Sequence, residues 1–302
     1  MQSLAASFAV ALCGAVWGVY WLPLRYLDQL GLSGGWATFA FFLVCLPPGL
    51  ALGFAARAQI KAHMATFLWL ALLNGLTFIL YSNAYGITTV FNTLFLFYLS
   101  PIWSIVIARL WLGERTGAAR IGCVIMGLAG LVLMLSADGG WPVPRNLGDW
   151  MALTSGITWA IVSVKIRNSA EFGVMANSAA FFLGGIGLSL LFAVLLDGAA
   201  PPAAASVHDA WRLVLAVGWL LWLPSQFLLF WGVRRISPVR TGILLMTELI
   251  SGVVTAALLS GDPFTWRQGI GGALIVAAGL GDILSSRNQP TPAPIPLTAA
   301  QE

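Results

Sequence analysis

The chain reads as an all-α integral membrane protein of ten transmembrane helices, built as two inverted five-helix repeats with both termini cytoplasmic. Three observations carry that reading. Of 302 residues, 59% are hydrophobic and only 9% charged, whereas a soluble chain carries charge on about a quarter of its residues. Apolar runs long enough to cross about 30 Å of hydrocarbon recur along almost the whole length. Lys and Arg are distributed unevenly between the connections on alternate sides.

The same composition excludes a soluble domain, a disordered chain and a disulfide scaffold. Cys13, Cys45 and Cys123 lie inside apolar runs, an odd count without short spacing, so they serve as small apolar fillers and hold no metal. The net charge of +4 is scattered singly rather than clustered, which argues against nucleic acid. No cofactor is expected. The expected partners are the bilayer and a small-molecule solute, and a monomer suffices while the oligomeric state stays open.

Cutting at charges, Gly/Pro clusters and polar runs places the spans at 4–24, 35–56, 65–85, 88–110, 118–136, 149–168, 174–196, 210–232, 238–259 and 267–286. Span 1 has no Lys or Arg in residues 1–12 and carries Trp17, Tyr20 and Trp21, so it is expected to be a retained helix rather than a signal peptide. Span 2 stops before Arg57, and span 3 carries Asn74, Thr77 and Tyr81 on one face. Spans 1, 4 and 8 hold Pro23, Pro101 and Pro224, which free backbone carbonyls and invite bends. Span 6 repeats Ser155, Trp159 and Ser163 at helical spacing. Span 7 is rich in glycine, which with Gly75, Gly127 and Gly130 suits close helix packing. Spans 9 and 10 hold the acids Glu248 and Asp282. The tail from Asn288 is rich in Pro, Ala and Thr and is expected to be disordered.

A cytoplasmic amino terminus puts eleven of the fifteen basic residues at cytoplasmic ends, leaving Arg25, Arg145, Arg212 and Arg267 outside. The domains are then residues 1–140 and 141–286, each of five spans, followed by a cytoplasmic tail over 287–302. The halves share a pattern: Gly14-Ala15-Val16-Trp17-Gly18 corresponds to Gly156-Ile157-Thr158-Trp159-Ala160, and eight residues past each Trp stands Arg25 or Arg167. Leu112-Gly113-Glu114 and Ser260-Gly261-Asp262 form a second correspondence. Because five is odd, the second copy inserts upside down relative to the first.

These residues, with Ser100-Pro101-Ile102-Trp103 and Ile121-Gly122, resemble the EamA-type branch of the drug/metabolite transporter superfamily over nearly the whole chain to residue 286. The resemblance implies alternating access around a midplane cavity in a bacterial cell inner membrane. Its aromatic interior is most similar to bacterial exporters of aromatic and neutral amino acids. In the second copy Leu249 stands where a counterpart of Pro101 is expected, which predicts a less broken span 9.

Glu248 is the sharpest site candidate, since a carboxyl at mid-membrane costs roughly 2.5–3.5 kcal/mol on insertion scales. With Thr241, Leu244, Ser251 and Thr255 it makes a partly polar stripe facing inward. Two readings stand for it: a group that binds a substrate ammonium or carries a proton, and a protonated carboxyl bonded between helices. Asp282, near the end of span 10 and within reach of Arg287, is read as structural.

Trp17, Tyr81, Tyr98, Trp103 and Trp159 lie deep or flank a Pro/Gly break, and are substrate-site candidates together with Ser163, Gln226 and Glu248. Rings with neighbouring hydroxyls and amides suit an amphipathic solute. The alternatives are an aromatic placed at the membrane–water interface for the rings and a helix–helix hydrogen bond for Gln226. Gly14, Gly18, Pro23, Pro101 and Pro224 are the gating candidates. Trp36, Trp69, Trp111, Trp141, Trp150, Trp211 and Trp266 stand near span ends as belt residues.

The expected function is therefore an exporter of aromatic or other neutral amino acids, facilitated or proton-coupled. A multidrug or metabolite proton antiporter is the rival. Against it, span 1 reads Leu12-Cys13-Gly14-Ala15-Val16, without the acid that small multidrug members of the superfamily use there. Gly279-Leu280-Gly281-Asp282 resembles the G-x-G-D string of membrane aspartyl proteases. That chemistry needs a second embedded aspartate, and the nearest match, Asp28, is expected in an external loop. His63 and His208, expected in loops, give no embedded base, so no enzyme activity is anticipated.

Overall fold

The computed structural model describes residues 2–112, 117–136, 143–167, 172–198, 200–233, 235–236 and 238–286. The expected disordered tail, Glu114, Trp141 and Arg287 lie outside these residues. Among the described residues the structure is helical throughout, with seven helices long and apolar enough to cross a membrane and a shorter apolar helix over Ile121–Leu135.

Span 1 is two helices, α1 (Gln2–Gly18) and α2 (Trp21–Gln29), where an unbroken 4–24 is expected. The break sits at Val19–Tyr20, four residues before Pro23. Pro23 has no N–H for the Val19 carbonyl, which instead accepts from Leu22 N at 3.1 Å. Because α2 runs on to Gln29, Asp28 is helical and not in a loop. Span 2 is α3 (Gly34–Ala55), followed by a short connecting helix α4 (Arg57–Ala62). Span 3 is the uninterrupted α5 (Met64–Ile87).

Span 4 divides in the same way into α6 (Val90–Phe97) and α7 (Ser100–Leu112), again four residues before a proline, Pro101. The next two spans are α8 (Ala118–Leu135) and α9 (Leu147–Arg167). Span 7 is α10 (Val174–Asp197). Span 8 comprises α11 (Ala204–Ala216), a π-helical turn over Val217–Trp222 and α12 (Leu223–Val233). It starts six residues earlier than expected, so the exposed His208 is helical rather than in a loop. The π turn adjoins Pro224, which cannot close an i→i−4 bond. Span 9 is the continuous α13 (Pro238–Leu259) and span 10 is α14 (Trp266–Ser286); the absence of a proline near Leu249 accounts for the intact α13.

The packing of spans follows a pattern. Span 1 lies on spans 9 and 8, and span 6 lies on spans 4 and 3. Span 2 meets span 7, and span 5 meets span 10. Exchanging 1 with 6, 2 with 7, 3 with 8, 4 with 9 and 5 with 10 maps this set of neighbours onto itself.

Small residues let the backbones touch. A Cβ at Gly75 would stand 2.6 Å from the Gly184 carbonyl, and one at Gly130 2.6 Å from that of Gly271. Gly187, expected to serve the same purpose, faces open space. Trp69, Trp150, Trp211 and Trp266 are exposed, as a lipid belt requires, whereas Trp36 is partly buried against the core.

Candidate functional site

Two groups of side chains occupy the interior, and broken helices position parts of both. The first centres on Glu248, half-buried on α13. Its helix lies close to α1 because Gly14 and Gly18 carry no side chain: a Cβ at Gly14 would run into Thr247 Oγ1, and one at Gly18 into Ser251 Oγ and the Glu248 carbonyl. Thr247 Oγ1 donates to the Ala11 carbonyl at 2.7 Å and Ser251 Oγ to that of Ala15 at 3.1 Å. Trp21 Nε1 donates to Thr255 Oγ1 at 3.1 Å. Of the polar stripe of span 9, Ser251 and Thr255 thus meet span 1, joined by Thr247, while the Glu248 carboxyl turns toward spans 3 and 4.

Tyr98 lies in the break between α6 and α7. Pro101 leaves the Phe97 carbonyl without its helical donor, and α9 comes close to that carbonyl at Gly156, where a Cβ would stand 2.8 Å from it. At this break Tyr98 Oη is 2.9 Å from Glu248 Oε2 and 2.9 Å from the Leu245 carbonyl. From α5, Tyr81 Oη donates to Glu248 Oε1 at 3.0 Å and receives a bond from Tyr85 Oη at 2.6 Å.

Proton counting decides what this chain of contacts can do. Four contacts join the groups, and the three phenols supply three protons. A protonated Glu248 supplies the fourth: it donates to Tyr98, which then donates to Leu245. An ionised Glu248 leaves Tyr98 with one proton for two acceptors. The cluster therefore has two protonation states with different bonding on α13.

The second group is aromatic. Trp17, Tyr20, Phe42, Phe78, Phe181 and Trp222 converge from α1, the α1–α2 break, α3, α5, α10 and the π turn. Trp222 packs 4.6 Å from Phe78 and stacks on Tyr20 at 5.9 Å with an interplanar angle of 4°. Trp17 lies 5.4 Å from Phe78 and 6.0 Å from Trp222. Tyr20 Oη and Ser82 Oγ are 3.4 Å apart, and Ser82 bonds Thr38 at 2.8 Å.

Of the residues singled out by sequence, Tyr81, Tyr98 and Glu248 meet directly, and Trp17 joins the aromatic group. Gln226 is buried on α12, whereas Trp103, Trp159 and Ser163 are half-buried. Among the described residues no hydrogen bond or ring contact ties these four to either group. Thr77 bonds Thr158 Oγ1 at 2.9 Å, and Asn74 bonds its own helix at the Leu70 carbonyl. Tyr85 and Trp222 were missed. Tyr85 lies one turn beyond Tyr81, a signal that was available; Trp222 was distinguished only by its place beside Pro224. Asp282 is buried on α14, and Cys13, Cys45 and Cys123 are buried as well. Among the described residues no cluster of three potential metal ligands occurs.

One end of the bundle is tied by charge. Arg25 on α2 grips both carboxylate oxygens of Asp262 at 2.9 Å and donates to the Ser260 carbonyl at 2.7 Å. Asp262 also accepts from Val90 N, at the start of α6. At the start of α9, buried Asp149 accepts from Thr88 Oγ1, Asn92 Nδ2 and Arg145 N.

Known proteins share this architecture. The EamA-like transporter family matches over residues 4–136 and 146–281. An uncharacterized transporter of Archaeoglobus fulgidus is 27% identical over 213 residues, covering 70% of this chain and 74% of its own. A crystal structure of a protein 20% identical to this one agrees in fold with a TM-score of 0.60, over 97% of this chain and 99% of its own.

Proposed function

This chain belongs to the EamA-like transporter family, and on that premise we propose that it carries aromatic and other neutral amino acids across the bilayer by alternating access, with Glu248 coupling transport to protons. It is a multi-pass membrane transporter from a family of transporters and not of enzymes. The observation that carries the finer reading is the Glu248 carboxyl, set in an apolar bundle and bonded by two tyrosines from different spans.

A transport site needs a group whose bonding changes between states. Glu248 fits, because gaining or losing one proton changes whether Tyr98 bonds the carboxyl or the Leu245 carbonyl. An amino-acid ammonium is a natural competitor for an ionised Glu248, so proton and solute would exchange at one position. The aromatic group beside it suits an apolar side chain.

The exchange symmetry of the helix contacts supports two halves, 1–140 and 141–286, related by a two-fold axis in the membrane plane. The positive-inside bias supports cytoplasmic termini; the bacterial inner membrane and export as the direction rest on the resemblance to bacterial amino-acid exporters. Gly14, Gly18, Pro23, Pro101 and Pro224 then serve as packing and bending points between the halves, with Trp103, Trp159, Ser163 and Gln226 approaching the solute in other conformations of the cycle.

Uptake of labelled Phe, Trp, Met and Thr into proteoliposomes tests this. Saturable uptake driven by an imposed pH gradient, and lost in Glu248→Gln, is the expected result. Saturable uptake that ignores the gradient refutes proton coupling but keeps amino-acid transport. Uptake of none of the four by folded protein refutes the amino-acid reading and favours the drug or metabolite antiporter.

A further inference from the structure

Buried indole N–H groups almost always find an acceptor. Trp17 and Trp222 do not: the first is 9% exposed, the second 1%, and among the described residues neither Nε1 has a hydrogen-bond partner. Trp36 and Trp103 share this property. What separates Trp17 and Trp222 is that both border one small cavity of about 40 Å³, together with Tyr20, Pro23 and aliphatic side chains of span 1 and the π turn. The lining is almost wholly apolar and includes Leu221, and among the described residues no Lys, Arg or His lines it.

We propose that Trp17 and Trp222 form a subsite that binds a hydrogen-bond acceptor on the transported solute, the two indole N–H groups being its donors. The class of ligand is a planar or aromatic solute with a carbonyl or carboxylate oxygen. Its ring lies against Tyr20 and Pro23 and its oxygen meets the indoles. Without a cationic side chain in the wall, a carboxylate is accepted only when the same molecule brings its own positive charge, as a zwitterion does. A cavity of this size holds a few water-sized groups, so the subsite is contracted in this conformation and admits solute when the halves move. The break at Val19–Tyr20 and the π turn form its two sides, and both are irregular backbone of the kind that transporters place around solutes. The inference rests on the transport reading above and adds the group that each indole recognises.

Indole ¹⁵N–¹H NMR of the full chain in lipid nanodiscs tests it. Signals are assigned with Trp17→Phe and Trp222→Phe and, where those fail to fold, with the benzothiophene isostere of tryptophan, which keeps the shape and lacks the N–H. The probes are phenylalanine, phenylalaninamide, which offers a neutral carbonyl, and phenethylamine, which offers no acceptor. Both indole signals are expected to move with the first two and to stay in place with the third. Loss of one N–H is expected to weaken phenylalanine about tenfold, the value of one hydrogen bond, and to leave phenethylamine unchanged. Absence of any shift with the acceptor probes, or an equal shift with phenethylamine, overturns the subsite.

The two readings fail separately. If phenylalanine is transported while no probe moves either indole, the subsite falls and amino-acid transport stands. If phenylalanine is not transported yet phenylalaninamide moves both indoles, amino-acid transport falls and the acceptor subsite stands.

Discussion

Glu248 makes one demand that its neighbours can meet in only one protonation state. Tyr81 and Tyr98 approach its two oxygens, and the Leu245 carbonyl competes for the Tyr98 proton. Glu248→Gln leaves an amide that accepts from Tyr81 and donates to Tyr98, so the closed hydrogen-bond chain survives without an exchangeable charge. Thermal unfolding in detergent is therefore expected to shift by less than about 1 kcal/mol, while gradient-driven accumulation is lost and solute exchange at equal pH persists. Loss of exchange along with accumulation would make solute binding, rather than proton carriage alone, the step that needs the Glu248 carboxylate. Tyr98→Phe removes the proton shared by Leu245 and Glu248, leaving a partly buried acceptor unsatisfied. It is expected to cost about 1–3 kcal/mol of stability by the same measurement, and a neutral result would mean that Tyr98 is dispensable to the cluster. Glu248 and both tyrosines were legible in the sequence, because a lone acid in an apolar span advertises itself. Trp222 was not. A membrane span is apolar on its lipid side as well as its protein side, so periodicity did not distinguish buried Trp222 from exposed Trp219 and Leu221.

At the scale of elements, proline chemistry explains where the helices divide. Pro23 and Pro101 each end a helix four to five residues upstream, and Tyr20 and Tyr98 occupy the breaks. All ten expected spans coincide with helices within a few residues at most ends, since hydropathy reports span length directly. The breaks were foreseen only as bends at the prolines themselves, because the missing bond belongs to a carbonyl one turn earlier. The extension of span 8 to Ala204 was hidden by polar residues, among them His208 and Asp209, that continue the helix beyond the apolar run. Pro101→Ala returns an N–H that can reach the Phe97 carbonyl, favouring a continuous helix from α6 into α7 and drawing Tyr98 away from Glu248. Transport is expected to fall at least about tenfold, equivalent to about 1.4 kcal/mol, with the protein still folded by circular dichroism. Unchanged transport would show that the break does not hold Tyr98 in place.

Over the whole molecule, the contacts between halves imply that opening one end requires separating the elements tied there. Arg25 joins span 1 to the connection between spans 9 and 10, and Asp262 extends the tie to the first residue of α6. The pair is only partly exposed, at 30% and 15% for the two side chains, with Nη2 of the guanidinium reaching both carboxylate oxygens and Nη1 holding the Ser260 carbonyl. Trp21 stacks beneath the guanidinium at 5.2 Å and bonds Thr255 one level deeper. Arg25→Gln breaks the charge pairing while leaving a side chain of similar reach. If the tie contributes about 1–2 kcal/mol to keeping this end shut, its loss raises the open fraction by roughly tenfold. The readout is a single cysteine at Thr255, in a chain whose three native cysteines are replaced by alanine, labelled with a membrane-impermeant maleimide. Labelling is expected to be slow with Arg25 present and several-fold faster in Arg25→Gln, and to slow again in Arg25→Asp combined with Asp262→Arg, which restores opposite charges in reversed order. Equal labelling rates in all three would show that the pair decorates this end without closing it, and would leave closure to the close, hydrogen-bonded packing of α1 on α13.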